Sequence, residues 1–200
     1  TALRINGTIS GSGGLTKSGA GDLYVAGALT FTGPLTIAQG KLISVGADRI
    51  GDVPVTIASG ARWELAANDQ IGSLAGAGVV YITDTAASRR VLVGADNTNT
   101  LFTGTLSSAS ARAHDFSKLG SGVFTVNMTT STWVGGNTSL DAGVIRVVSS
   151  AGQQFNRTST WTINNAGQAA VFDLNGSSQE IGPLNFYNTA STINSQGLVL

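Results

Sequence analysis

Short apolar runs separated by turns of small residues constrain this chain more than any other feature of its sequence. Between Gly11 and Val45 the runs are only a few residues long, and Gly, Ser, Ala and Thr fill the turns between them. Runs this short do not suit a helix, but they suit β-strands. In Leu29–Phe31 and Leu35–Ile37 apolar residues alternate with Thr, which is the two-residue period of a half-buried strand. The pattern predicts an all-β chain with many tight corners.

The same pattern extends through the first half of the chain. Pro54 interrupts one run, and because proline has no N–H to donate, we place it at an edge, a bulge or a strand start. The other predicted strands are Ile5–Ile9, Leu15–Lys17, Leu23–Val25, Leu42–Val45, Val53–Ile57, Trp63–Leu65, Ile71–Leu74, Val79–Ile82 and Val91–Val93.

The first half of the sequence recurs in a looser form in the second half. The stretch 116–126 echoes 15–25 at an offset of 101 residues, and the offset grows further along the chain. Growth of the offset is expected where repeats accept insertions in their loops. We therefore expect one domain or segment over 1–200, with internal repeats at about 5–99 and 100–200.

Repeated short strands favour one fold class over the others. Gly accounts for 27 of the 200 residues, which is too frequent for helix interiors, and no sustained helical spacing of apolar residues occurs. A β-sandwich would need longer strands in Greek-key order. The sequence instead predicts a right-handed, single-stranded parallel β-helix, or solenoid. If a coil takes about 20–25 residues, the chain makes about eight to ten coils, stacked about 4.8 Å apart.

Charge and cysteine content exclude several partners and chemistries. The chain has 11 basic and 11 acidic residues, so it lacks the excess of cations that nucleic-acid binding requires, and we expect no nucleic-acid partner. No cysteine is present, which excludes disulfides and cysteine-ligated metals. The chain opens with Thr1 and contains no apolar run of transmembrane length. We expect any outer-membrane anchor to lie outside this chain.

One stretch resembles a known family. It reads Gly-Ser-Gly-Gly-Leu-Thr-Lys-Ser-Gly-Ala-Gly-Asp-Leu-Tyr-Val at 11–25, followed by Phe-Thr-Gly at 31–33 and Ala-Gln-Gly-Lys-Leu at 38–42. This stretch closely resembles the passenger-associated transport repeat of autotransporters, which is also called the autotransporter-associated β-strand repeat. The resemblance covers most of residues 5–82 and, more weakly, 100–184.

The family resemblance implies a location and a role. It implies export across the outer membrane of a Gram-negative bacterium, display at the cell surface, and a β-helix stalk. We therefore expect an extracellular protein with a structural or adhesive role. Its expected partner is an unidentified glycan or protein on the surface of a host or neighbouring cell.

Residues that could carry catalysis are few. His114 is the only histidine, and its neighbour Asp115 would point to the opposite side of a strand, so we expect His114 to be a solvated loop residue. Glu64 and Asp84 could meet on adjacent coils as a glycosidase pair, but isolated acids at turns usually bond their own backbone. We therefore expect no catalytic, cofactor-binding or metal-ligating residues and no enzymatic activity.

Two further features have a structural and a ligand-binding interpretation. The turn Gly19–Asp22 resembles half of a calcium-binding nonapeptide, but no tandem array follows it, so we do not expect Ca²⁺ there. Trp63, Trp133 and Trp161 could stack on sugars or pack in the core, and we favour the core.

Two other functions remain open from the sequence. A solenoid with open ends could associate end to end or side by side, as a self-assembling subunit of a filament or sheath. A β-helix could also bind or cleave glycans in the manner of a tailspike protein.

Overall fold

The chain folds as a parallel β-solenoid. The computed structural model describes residues 2–109, 113–131, 135–148, 150–163, 168–187, 191–194 and 198–199, and these residues contain strands but no helix. Every strand pairing among them is parallel, and the strands stack in about eight turns. The predicted parallel β-helix is therefore confirmed, with a turn count at the low end of the expected range, whereas its right-handedness stays a prediction. Among the described residues no helix could span a membrane.

Each coil contributes up to three strands, so the solenoid has three faces. The first face contains β1 (Ala2–Ile5), β4 (Asp22–Val25), β7 (Lys41–Ser44), β9 (Arg62–Leu65), β11 (Val79–Ile82), β14 (Thr105–Ser108) and β17 (Thr130–Ser131). The second face contains β2 (Ile9–Gly11), β5 (Leu29–Phe31), the first residues of β8 (Gly51–Ile57) and β10 (Asp69–Gly76), and then β12 (Arg90–Val93), β15 (His114–Lys118), β18 (Gly135–Leu140), β20 (Thr160–Ile163) and β23 (Leu184–Phe186).

The third face follows the second after a corner. It contains β3 (Leu15–Lys17), β6 (Leu35–Ile37), the last residues of β8 and β10, β13 (Thr100–Phe102), β16 (Val123–Val126), β19 (Gly143–Val147), β21 (Ala170–Asp173) and β24 (Ser191–Asn194). Two short strands, β22 (Gln179–Glu180) and β25 (Leu198–Val199), pair with each other. The coils differ in length: the coil that leads from Arg62 to its partner Val79 is short, and the one that leads from Arg146 to its partner Asp173 is long.

Most strands of the first half lie within one or two residues of their predicted positions. The exception is the lead-in segment, where the single predicted strand Ile5–Ile9 is two strands, β1 and β2, on different faces. Pro54 lies within β8, beside a register shift between Ile71 and Ser73 of the neighbouring strand. Of the three predicted positions, an edge, a bulge or a strand start, the register shift agrees with the bulge, since an irregular register accommodates a residue that cannot donate to the ladder.

Apolar side chains from successive coils lie over one another inside the solenoid. Trp63 and Trp161 are both fully buried, so core packing is confirmed for these two residues, while Trp133 lies outside the described residues. The ring of Trp161 stacks on Phe172 with a centroid distance of 4.4 Å. Burying one such large side chain stabilises the fold by about 1.5–3 kcal/mol. One buried column of the first face consists of Leu23, Leu42, Trp63, Val80 and Leu106, and Leu3, which is in register with Leu23, is 64% exposed.

The two echoing stretches of sequence lie at different corners of the solenoid. Lys17 ends β3 on the third face and pairs with Ile37 of the next coil. Lys118 ends β15 on the second face, between Val93 and Leu140. The echo therefore does not span a whole number of coils. The division of the chain into two long repeats stays a prediction.

Close stacking of corners depends on glycine at particular positions. At the corner between the third and first faces, Gly78 accepts a hydrogen bond from the Thr105 N–H at 3.0 Å. A Cβ atom added to Gly104 would collide with the Gly78 carbonyl oxygen directly beneath it and with the ring of Phe102. Backbone oxygen cannot move aside as the end of a long side chain can, so this corner requires a residue without Cβ.

We expect Gly104→Ala to lower the free energy of unfolding by about 1–3 kcal/mol, because the added methyl group overpacks the corner. The matched control is Gly152→Ala, since no atom lies within 4 Å of a Cβ added at Gly152. That control should change stability by no more than about 0.5 kcal/mol. Urea unfolding followed by circular dichroism measures both, and equal midpoints for the two variants would contradict the expectation.

Candidate functional site

His114 does not occupy the solvated loop that the sequence predicted, and that prediction is wrong. It is the first residue of β15, its side chain is fully buried, and its Nδ1 accepts a hydrogen bond from the Arg89 N–H at 3.1 Å. Asp115 points outward, where its carboxylate pairs with Arg90 at 3.2 Å and accepts the Asn137 N–H at 2.9 Å. The two neighbours therefore face opposite sides of the strand, as the period of a strand requires, and do not form a catalytic pair.

The acids that could have formed a glycosidase pair are each engaged elsewhere. Glu64 projects from the first face, where its Oε1 is shared by Lys41 at 3.3 Å and Arg62 at 3.2 Å. Asp84 accepts the Ala86 N–H at 2.7 Å, and this bond, helped by Arg89, holds the pKa of its carboxyl below the usual value. A carboxylate with a lowered pKa is a poor general acid at neutral pH. The structure therefore gives these two acids separate structural partners.

The turn with a calcium-like sequence is filled by a side chain of the protein itself. The Nζ atom of Lys17 donates hydrogen bonds to the carbonyl oxygens of Ser18 at 3.0 Å, Gly19 at 2.7 Å and Gln39 at 3.0 Å. The Lys17 ammonium group thus occupies the place where these three carbonyl oxygens converge, of which the Gly19 oxygen belongs to the turn itself. Within the described ranges, no group of three or more His, Cys, Asp or Glu side chains could hold a metal ion.

A second buried lysine makes the same arrangement at another corner. The Nζ atom of Lys118 donates to the carbonyl oxygens of Leu119, Gly120 at 2.9 Å and Ala142 at 3.4 Å. Burial lowers the pKa of the Lys118 ammonium group to about 8, and the negative charge of Asp96 offsets part of that effect. We call these two arrangements the lysine corners. The sequence signal for them is a lysine at the end of a strand, followed closely by two glycines.

Lys17→Met should lower the free energy of unfolding by about 1–3 kcal/mol, because three corner carbonyls lose their donor. Lys41→Met is the matched control: Lys41 lies on the outside of the first face, with its side chain 44% exposed and paired to Glu64. A surface pair of this kind contributes at most about 1 kcal/mol. Urea denaturation of both variants at pH 7 provides the comparison. If the two substitutions destabilise the protein equally, the lysine corner is not a stabilising element.

The outer side of the first face carries a row of side chains suited to contact a partner. Register places Tyr24, Ile43, Glu64 and Tyr81 in one column along the solenoid. The guanidinium of Arg62 lies 4.6 Å from the centre of the Tyr81 ring. We call these five residues the tyrosine strip. Its two tyrosines are half-buried and lie three strand spacings apart, which is about 14 Å, whereas Ile43 and Glu64 between them are buried at 8% and 9% exposure.

Aromatic rings, hydrogen-bond donors and a carboxylate acceptor occur together on the tyrosine strip. The ion pairs of Glu64 and the cation–π contact of Arg62 hold these side chains in place before any partner arrives. The sequence did not identify the strip, because its residues lie on four different strands and only the register brings them together.

A groove of about 520 Å³ lies at a different place, beside the Lys118 corner. Leu119, Val144 and Val171 form its apolar part, while Asp141 and Gln168 contribute polar groups. Its described lining includes no aromatic side chain. We therefore take the tyrosine strip as the better candidate site.

Comparison with known proteins identifies no relative of this chain. No family model matches it, and neither a curated protein nor a solved structure matches it. The resemblance to autotransporter repeats thus stays a prediction from the residues quoted above.

Proposed function

We propose that the chain is a section of an extracellular rod on the surface of a Gram-negative bacterium, with a structural or adhesive role. The observation that carries this proposal is the unbroken parallel ladder of the first face, which joins seven strands in order from β1 to β17. At about 4.8 Å a coil, about eight turns make a rod of roughly 35–40 Å. Such a rod extends a surface outward from its point of attachment.

The rod interior supports the structural part of the proposal. Apolar columns run through the coils from Leu23 to Ile181, and they form one continuous core. A continuous core makes neighbouring coils depend on each other, which gives a solenoid its stiffness. The side chains at the surface are mostly paired or half-buried, as the Lys41–Glu64 and Arg146–Asp173 pairs illustrate.

The tyrosine strip supports the adhesive part. Tyrosine rings offer large contact areas at a small entropic cost, and Arg62 and Glu64 offer a donor and an acceptor beside them. We infer that a surface glycan or protein of another cell binds along this strip.

Labelling of intact cells tests the location. Antibody raised against this chain should label unpermeabilised cells of the source bacterium, and protease added outside the cells should remove the signal. A cytoplasmic protein serves as the control for cell integrity. Signal that appears only after permeabilisation would refute surface display.

Binding of protein-coated beads to cells and to immobilised glycans tests the adhesive role. We expect the double variant Tyr24→Ser/Tyr81→Ser to reduce bead binding at least tenfold, which corresponds to about 1.4 kcal/mol or more. Tyr187→Ser is the matched control, because Tyr187 is 67% exposed and lies far along the chain from the strip. Equal binding by the double variant and the control would exclude the strip as the adhesive surface. If the protein is found on the cell surface but binds neither cells nor glycans, only the structural part of the proposal remains.

A further inference from the structure

A carboxyl group lies inside the solenoid, and no cation among the described residues pairs with it. Asp69 is the first residue of β10, and its side chain is 0% exposed. Its Oδ1 accepts the Ile50 N–H at 3.3 Å, while its buried Oδ2 has no hydrogen-bond partner within the described part of the chain. An unpaired buried oxygen of this kind is costly, and the cost is far larger when the group carries a charge. The site therefore disfavours the ionised form.

A short chain of polar groups connects Asp69 to the core. The indole Nε1–H of Trp63 donates to the Ser44 hydroxyl oxygen at 2.8 Å, and the Ser44 hydroxyl in turn interacts with the Asp69 carboxyl. Ser44 is itself 1% exposed. Any change at the Asp69 carboxyl therefore reaches the environment of a fully buried tryptophan.

The carboxyl lies against residues 45–50, which join the first face to the second face and which we call the Asp69 corner. Asp48 has a φ of 49° there, in the left-handed region that few residues other than glycine adopt and that aspartate tolerates better than most. Three backbone bonds tie the corner to neighbouring coils: the Val45 N–H donates to Val25 at 2.8 Å, the Asp48 N–H donates to Asn68 at 3.0 Å, and the Arg49 carbonyl accepts the Leu29 N–H at 2.7 Å. Because residues 45–50 lie outside the strands, these bonds are not reinforced by a continuous ladder, and the corner opens more easily than the strands beside it.

The charged groups around the corner do not offset a charge on Asp69. Asp48 acts on it with a charge of the same sign. The guanidinium of Arg49 donates to the Val45 carbonyl oxygen. On the strands packed against β10, the Asp52 carboxylate accepts from the Gln70 amide, and Arg90 pairs with Asp115.

We propose that the Asp69 corner is a pH-sensitive element of the solenoid. With the carboxyl protonated, residues 45–50 stay closed over a dry interior. Loss of the proton places a negative charge beneath them, and the corner then opens to let water reach the carboxylate and the Trp63–Ser44 pair. This device is independent of what binds to the tyrosine strip.

The direction of the pH effect follows from the burial. Burial raises the pKa of the Asp69 carboxyl to about 7 and the charge of Asp48 adds to this effect, while the Ile50 N–H bond, the nearby Ser44 hydroxyl and the Arg49 backbone oppose the shift only in part. The folded protein thus holds this proton more tightly than the unfolded chain does. The stabilisation is complete below about pH 4 and is lost as the pH rises through about 7.

Comparison of the native protein with Asp69→Asn isolates this effect from the other acids. The quantity compared is the ratio of two unfolding constants, that of the native protein over that of Asp69→Asn. We expect this ratio to rise about tenfold per pH unit between about pH 4.5 and 6.5 and to level off above about pH 8. Asp52→Asn is the matched control, since Asp52 is an exposed acid on the adjacent strand, and its ratio should stay nearly constant. A ratio for Asp69→Asn that does not change with pH would overturn the proposal.

A titration of the native protein keeps the test valid if Asp69→Asn does not fold. Carbon-13 spectra of protein labelled at aspartate carboxyls should show one group that titrates near pH 7. Over the same range, acrylamide quenching should increase for the buried tryptophan fluorescence, and Trp63→Phe should remove that increase. If all aspartates titrate below about pH 5, or if quenching stays constant from pH 5 to 8, the corner is not a pH-sensitive element.

Discussion

Parallel backbone hydrogen bonding between successive coils is the constraint on which the rest of this structure depends. Each coil must place its strands one strand spacing above those of the coil before it. This holds for the short coil from Arg62 to Val79 and equally for the long one from Arg146 to Asp173. Strand positions are therefore fixed, and all variation in length falls on the corners. This explains why the unusual chemistry of the chain, its lysine corners and its buried acid, occurs where strands begin or end.

The corners satisfy their polar groups by means other than the ladder. At two corners, a lysine ammonium group donates hydrogen bonds to several backbone carbonyl oxygens. Beyond the last described strand of the first face, glutamine side chains accept hydrogen bonds from the backbone instead. Gln154 Oε1 accepts the Met128 N–H, and Gln179 Oε1 accepts the backbone N–H of Gln154 at 2.7 Å. Asp69 differs from these groups, because one of its oxygens finds no donor among the residues that the structure describes. The candidate surface function and the pH-sensitive corner thus arise from different parts of the same framework, the outward column and an incomplete corner.

Local sequence patterns predicted the strands well and the environments of single polar residues poorly. Alternation of apolar and polar residues located β5, β6 and much of β8, because the two-residue period of a strand is a local property. It failed for His114, which the sequence placed in a solvated loop but which is fully buried, and it did not indicate that Asp69 is fully buried. Their burial depends on the coils above and below, which are distant from them in the sequence. The tyrosine strip escaped detection for the same reason.

What the sequence determined by itself is the local conformation: short strands, glycine corners, and a lysine that folds back onto the carbonyls that follow it. The stretches around Lys17 and Lys118 show this, since similar residues form similar corners. Only the tertiary structure decided that one of these corners follows the third face and the other the second face. The physical reason is that the chain between the two lysines does not make a whole number of coils. Local interactions fix the shape of a corner, whereas the accumulated length of all preceding coils fixes the side of the rod on which it lies.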